Sequence, residues 1–214
     1  SRSYDAKAGT NRFAWDLRPG GDADETVFPP QMSVFPGTYQ FSVSLGGVTS
    51  STTLEVRADP RDPPDLADLV AKREALIEMA AVSQGVDDSR SELDRLLRGV
   101  ETVLETLDED AETLREQGEA LKDALEALTR RLFTGPECQG SCGGAVVSSL
   151  VGQPIGRIVA ENGPPSENTR HMMDQAQGAA GTILSEVSAL AEGDVEAYRQ
   201  ALITAGYTPF GGGS

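Results

Sequence analysis

The chain has 214 residues, enough to bury a sizeable core as one large or two small domains without staples. Eighteen Lys and Arg against 34 Asp and Glu leave a formal net charge of −16, which repels phosphate backbones and anionic headgroups and argues against nucleic acid as a partner. No run reaches the roughly 18 to 20 apolar residues that a membrane-spanning helix needs. Residues 1–57 are rich in Thr, Ser, Gly, Val and aromatics, and three segments alternate with period two, the mark of half-buried strands. In the first, Phe13, Trp15 and Leu17 face one way and Ala14, Asp16 and Arg18 the other. In the second, Tyr39, Phe41, Val43 and Leu45 alternate with Gln40, Ser42 and Ser44, and Gly46-Gly47 supplies the positive φ of a two-residue hairpin turn. The third runs from Val48 to Val56, with Leu54 and Val56 inward. Pro36-Gly37 is a turn signal and residues 19–33 form a polar, proline-bearing connection, so the pattern predicts a small antiparallel β-sandwich over 1–57.

ADPRDPP, residues 58–64, holds three prolines and reads as a stiff, extended linker between domains. From there the period becomes helical. Leu69, Leu76, Leu97 and Leu104 share one heptad position and Met79, Val86, Leu93, Val100 and Leu107 its companion, which predicts one long helix over about 65–107. Ser83, Gly85 and Arg90 interrupt its middle, but the register is the same on both sides. After the acidic cluster Leu107-Asp108-Glu109-Asp110, a second helix over about 109–133 carries Leu114, Leu121, Leu125, Leu128 and Leu132, and a short turn between two such seams predicts an antiparallel helical hairpin. Residues 135–167 read as irregular. A third helix over about 168–191 points Met172, Met173, Ala176, Ala180, Ile183, Leu184, Val187 and Leu190 inward, and a short one over about 194–205 ends at Gly206 as a left-handed cap. The reading is thus α+β and multi-domain: a sandwich over 1–57, a linker over 58–64, a helical bundle over 65–210 and a flexible tail over 211–214.

Candidate sites are few. Glu101, Glu105 and Glu112 lie off the apolar seam, as a solvated face does. His171 has no Gly-x-Ser-x-Gly elbow to serve, and adjacent Met172 and Met173 point about 100° apart on a helix, which suits packing better than a shared metal. Asp22, Asp24 and Glu25 in GGDADET lack the spacing of a calcium loop. Cys138 and Cys142 in PECQGSCGG are too far apart to bridge on a helix, yet in a Gly-rich loop they can close a small disulfide, with free thiols and then a metal site as the alternatives. No catalytic residue, cofactor or metal site is expected.

NRFAWDLR near the start, PGTYQFSVSLGG followed by TLEVRADPR, the long heptad helix, and GDVEAYRQALITAGYTPF at the end resemble the C-terminal region of secreted bacterial sialidase-like, Asp-box or sortilin-type β-propeller proteins. That resemblance implies an Ig-like module, similar to that of flagellar hook-capping proteins, followed by a helical bundle. It also implies an extracytoplasmic place, periplasmic or secreted, and the start at SRSYDAKAG suits a processed product or a piece of something longer. Any hydrolytic activity of such proteins would belong to a propeller, whose Asp-box repeats do not occur here. The expected role is a non-catalytic protein–protein interaction module, an accessory or structural subunit of a larger envelope or membrane-associated assembly, whose partner is a protein such as a membrane complex or a β-propeller. No small-molecule substrate is evident. The alternative is the accessory C-terminal region of a secreted propeller glycoside hydrolase or peptidase.

Overall fold

A computed structural model describes residues 3–18, 32–61, 63–134 and 146–210. Its elements in chain order are strands β1 (Gly37–Leu45) and β2 (Val48–Val56), then helices α1 (Leu66–Thr106), α2 (Glu112–Thr129), α3 (Val147–Ala160), α4 (Glu167–Leu190) and α5 (Glu196–Thr204). Short π-helical turns at Arg130–Thr134 and Ala191–Val195 follow α2 and α4. Contacts group the chain into Ser1–Glu78 with Gly156–Glu167, and Met79–Ile155 with Asn168–Ser214. The division therefore falls inside α1 and α3, whereas the prolines of 58–64 suggest a boundary there.

The expected Ig-like β-sandwich is not what forms: the molecule is mostly helical, with a single two-stranded antiparallel sheet among the described residues. β1 and β2 pair from Gly37 opposite Val56 to Leu45 opposite Val48, and Gly46 and Gly47, at φ 58° and 84°, make the two-residue turn. What fails is the first predicted strand. Leu17 has φ 60°, which breaks an extended run, and the Trp15 indole N–H donates to the Arg18 carbonyl at 2.7 Å, curling the segment on itself. Phe13 and Leu17, expected inward, are exposed, as is Leu54. Trp15 alone of the three is half-buried, set edge-on to Tyr39 and Phe41 with ring centroids 5.6 and 4.8 Å away. Alternation alone specifies which way side chains point; a sandwich also needs a second sheet to receive them.

In the same unit, the Lys72 amine donates to the carbonyls of Val159 (3.0 Å) and Glu161 (2.5 Å), satisfying the exposed C-terminal carbonyls of α3. The Glu161 carboxylate in turn accepts from the Ser166 N–H and hydroxyl just before α4. The Arg73 guanidinium lies 5.4 Å from the Phe35 ring centre. α3 itself lies within 135–167, where irregular structure is expected; Gly152, Pro154 and Gly156 look like breakers, but Pro154 is accommodated inside the helix with its ring buried.

The second unit is a helical bundle. Arg90 with Phe133, Glu101 with Lys122 and Leu104 with Gly118 come together, so residue numbers on α2 fall as those on α1 rise and the two run antiparallel. Met79, Val86, Leu93, Val100 and Leu107 are all buried, as the heptad predicts. Their companions are Leu96 and Val103, with Leu97 and Leu104 only half-buried, because a seam three residues on from Leu93 and Val100 satisfies the same repeat as one four residues on. Arg115 closes the turn by donating to the Leu104, Leu107 and Asp108 carbonyls. Gly118 lets α5 approach: a Cβ there would lie 2.6 Å from the Tyr198 hydroxyl and 2.8 Å from Leu104 Cδ2. Gly206, at φ 86°, ends α5 in a Schellman arrangement, with Tyr207 N–H bonded to Leu202 O and Gly206 N–H to Ile203 O. Phe210 then folds back over Gly99, which has no side chain to obstruct it.

Candidate interaction surface

The hairpin differs from the rest of the chain in chemistry. Between Thr38 and Leu54 there is no Asp, Glu, Lys or Arg, in a protein whose net charge is −16. Cross-strand pairing sorts its side chains by face. One face carries Tyr39 opposite Leu54, Phe41 opposite Thr52, Val43 opposite Ser50 and Leu45 opposite Val48; the other carries Gln40 opposite Thr53, Ser42 opposite Ser51 and Ser44 opposite Thr49. The polar face satisfies itself, with hydroxyl pairs Ser42–Ser51 at 2.8 Å and Ser44–Thr49 at 2.7 Å.

Among the described residues, the apolar face is covered only near its base. Trp15 lies over Tyr39 and Phe41, and the Tyr39 hydroxyl donates to Phe35 O at 2.7 Å, while burial raises its pKa. Towards the turn, Val43, Leu45 and Val48 stay 59, 68 and 73% exposed. Below the hairpin is a cavity of about 300 Å³ with walls from Met32, Phe35, Pro36, Leu69 and Val159, and Lys72 at its margin. Burial lowers the pKa of that amine, with the Glu161 charge opposing. Both of its short hydrogen bonds go to backbone carbonyls, the geometry of a helix cap and a poor one for a nucleophile. The cavity can seat an apolar side chain.

The residues singled out in the sequence do not converge. His171 is exposed on α4 with its ring N 3.1 Å from the Gln175 amide; Met173 is buried in the bundle and Met172 half-buried with its sulfur 3.8 Å from the Asn168 amide. Cys138, Cys142, Asp22, Asp24 and Glu25 lie outside the described residues. Glu105 and Glu112 are exposed, while Glu101 pairs with Lys122 at 2.8 Å across the helical hairpin. Arg131 and Glu186 form a second such pair, bidentate, linking the end of α2 to α4. Among the described residues no group of three or more His, Cys, Asp or Glu is placed to hold a metal, and no helix is long and apolar enough to cross a membrane. Comparison with family models, with curated proteins and with solved structures gives no match.

Proposed function

We propose that the chain is a non-catalytic protein–protein interaction module, an accessory or structural subunit that presents its hairpin to a protein partner. The observation that carries this reading is the uncharged ribbon with one apolar face, open at Val43, Leu45 and Val48 on a strongly acidic protein. Exposed apolar surface on a folded domain is costly and marks a place where something binds. Strand edges without Lys, Pro or a bulge are also the ones that accept another strand, since nothing along them repels it. The extracytoplasmic setting, in an envelope or membrane-associated assembly, rests on the resemblance of NRFAWDLR and PGTYQFSVSLGG.

Affinity capture from an envelope fraction tests it, using the intact chain and a Leu45→Lys/Val48→Lys variant as paired baits. The expected outcome is a stoichiometric protein partner that the variant loses while its helical circular dichroism is unchanged. Equal capture by both baits would place the interaction elsewhere, and turnover of a substrate by the purified chain would overturn the non-catalytic reading.

A further inference from the structure

We propose that a second copy of this chain pairs with the free edge of β1, antiparallel and centred on Ser42, which rests on the hairpin being the interaction surface. In a hairpin closed by a two-residue loop, Leu45 and Val48 exchange both ladder hydrogen bonds, and the alternation that follows turns the N–H and C=O groups of Gln40, Ser42 and Ser44 outward. No strand receives them among the described residues, whose sheet has two strands only.

The order of side chains along β1 is self-complementary about Ser42. Antiparallel pairing centred there sets Phe41 beside Val43 of the copy and Tyr39 beside Leu45 of the copy, all on the apolar face. Ser42 meets Ser42 and Gln40 meets Ser44 on the polar face. The exposed side chains Val43 and Leu45 would thus each gain an aromatic neighbour. β2 offers a poorer match: its outward groups are those of Thr49, Ser51 and Thr53, and the equivalent pairing centred on Ser51 sets Val48 beside Leu54 but Ser50 beside Thr52, with no aromatic on either side.

Charge favours a copy here and nowhere obvious besides. Two chains of net charge −16 repel, yet from Thr38 to Leu54 neither contributes a charge, so pairing through β1 brings no like charges into direct opposition. The product is a four-stranded sheet, β2-β1-β1-β2, whose two central strands present one continuous apolar stripe, flanked by Ser50 and Thr52 of each β2. A lone two-stranded hairpin is marginal in water, and three or more strands with an apolar face are what make such a sheet stable. The same face remains available to a further partner.

Sedimentation equilibrium over a concentration series tests the pairing, with Ser42→Pro and Val43→Lys alongside. Ser42→Pro removes an outward N–H and leaves the β1–β2 ladder intact, so it blocks the edge without unmaking the hairpin. The expected result is a species of twice the 22.6 kDa chain mass that both variants lose while helical circular dichroism stays the same. Ser42→Cys, in a Cys138→Ser/Cys142→Ser background, should form an intermolecular disulfide under mild oxidation, because residues facing each other as a hydrogen-bonded pair are about 5.5 Å apart at Cα. Thr53→Cys, on the outer edge of β2, should not. A wild-type chain monomeric throughout, a dimer that survives both variants, or cross-linking of the Thr53→Cys chain as readily as the Ser42→Cys chain would each overturn the proposal. A monomer that still captures a partner through Leu45 and Val48 overturns self-pairing alone; loss of that capture as well removes the interaction reading itself.

Discussion

Leucine and valine meet opposite fates in the two parts of this molecule. In the bundle, Leu93, Val100, Leu125 and Leu132 are at most 1% exposed; in the hairpin, Val43, Leu45 and Val48 are more than half exposed. The bundle supplies its own partners: α1 and α2 close on one another, α5 slots in at Gly118, and Phe210 seats over Gly99. Among the described residues, the hairpin has Trp15 and little else on its apolar face. The difference separates a region that buries its own apolar side chains from one whose apolar side chains stay exposed.

If that contrast is right, substitutions in the two regions should have different readouts. The largest effect is expected from Leu125→Ala, whose fully buried side chain leaves a cavity in the bundle; it should lose about 2–5 kcal/mol in denaturant unfolding followed by helical signal. Gly118→Ala forces a methyl within 2.6 Å of the Tyr198 hydroxyl and should cost about 1–3 kcal/mol by the same assay. Gly47→Val places a β-branched residue at φ 84° and should cost about 1–2 kcal/mol of hairpin stability alone. Hydrogen exchange in β1 and β2 should accelerate while the helical melt is unmoved; a bundle destabilised as much as the hairpin would erase the distinction.

The smallest effect concerns pH. Hydrogen bonding to Arg131 holds the Glu186 carboxyl below its ordinary value of 4.5, with the guanidinium charge acting the same way. A depressed carboxylate stabilises the fold above its unfolded value and loses that contribution as pH falls through the folded one. Both groups are substantially exposed, so the effect is modest. Thermal melts from pH 6 down to about 3 should show the wild type losing slightly more stability than Glu186→Gln below 4.5, and parallel curves would show the pair to be idle.

The sequence was most legible where one chain segment decides its own environment. A heptad tells which side of α1 is apolar whatever it packs against, and the buried run from Met79 to Leu107 follows it. Choosing Leu96 and Val103 over Leu97 and Leu104 depends on the facing helix, which periodicity along α1 cannot encode. Gly46-Gly47 and Gly206 were readable because positive φ is a local demand that glycine meets. The sandwich does not form although Phe13, Trp15 and Leu17 alternate as a strand does, because the Trp15 hydrogen bond to Arg18 and the left-handed Leu17 end the extended run. α3 was hidden by Gly152, Pro154 and Gly156, and the cap that Lys72 gives it joins positions 87 apart in the chain. The candidate surface was half visible: alternation marked its apolar face, but only the fold shows Val43, Leu45 and Val48 exposed on it.

Residue-resolved amide exchange of Gln40, Ser42 and Ser44 tests the central claim most directly, because an isolated hairpin leaves these three N–H groups unpaired. Protection that rises with protein concentration and vanishes in Val43→Lys is the predicted result. Exchange at the unprotected rate at every concentration would contradict it.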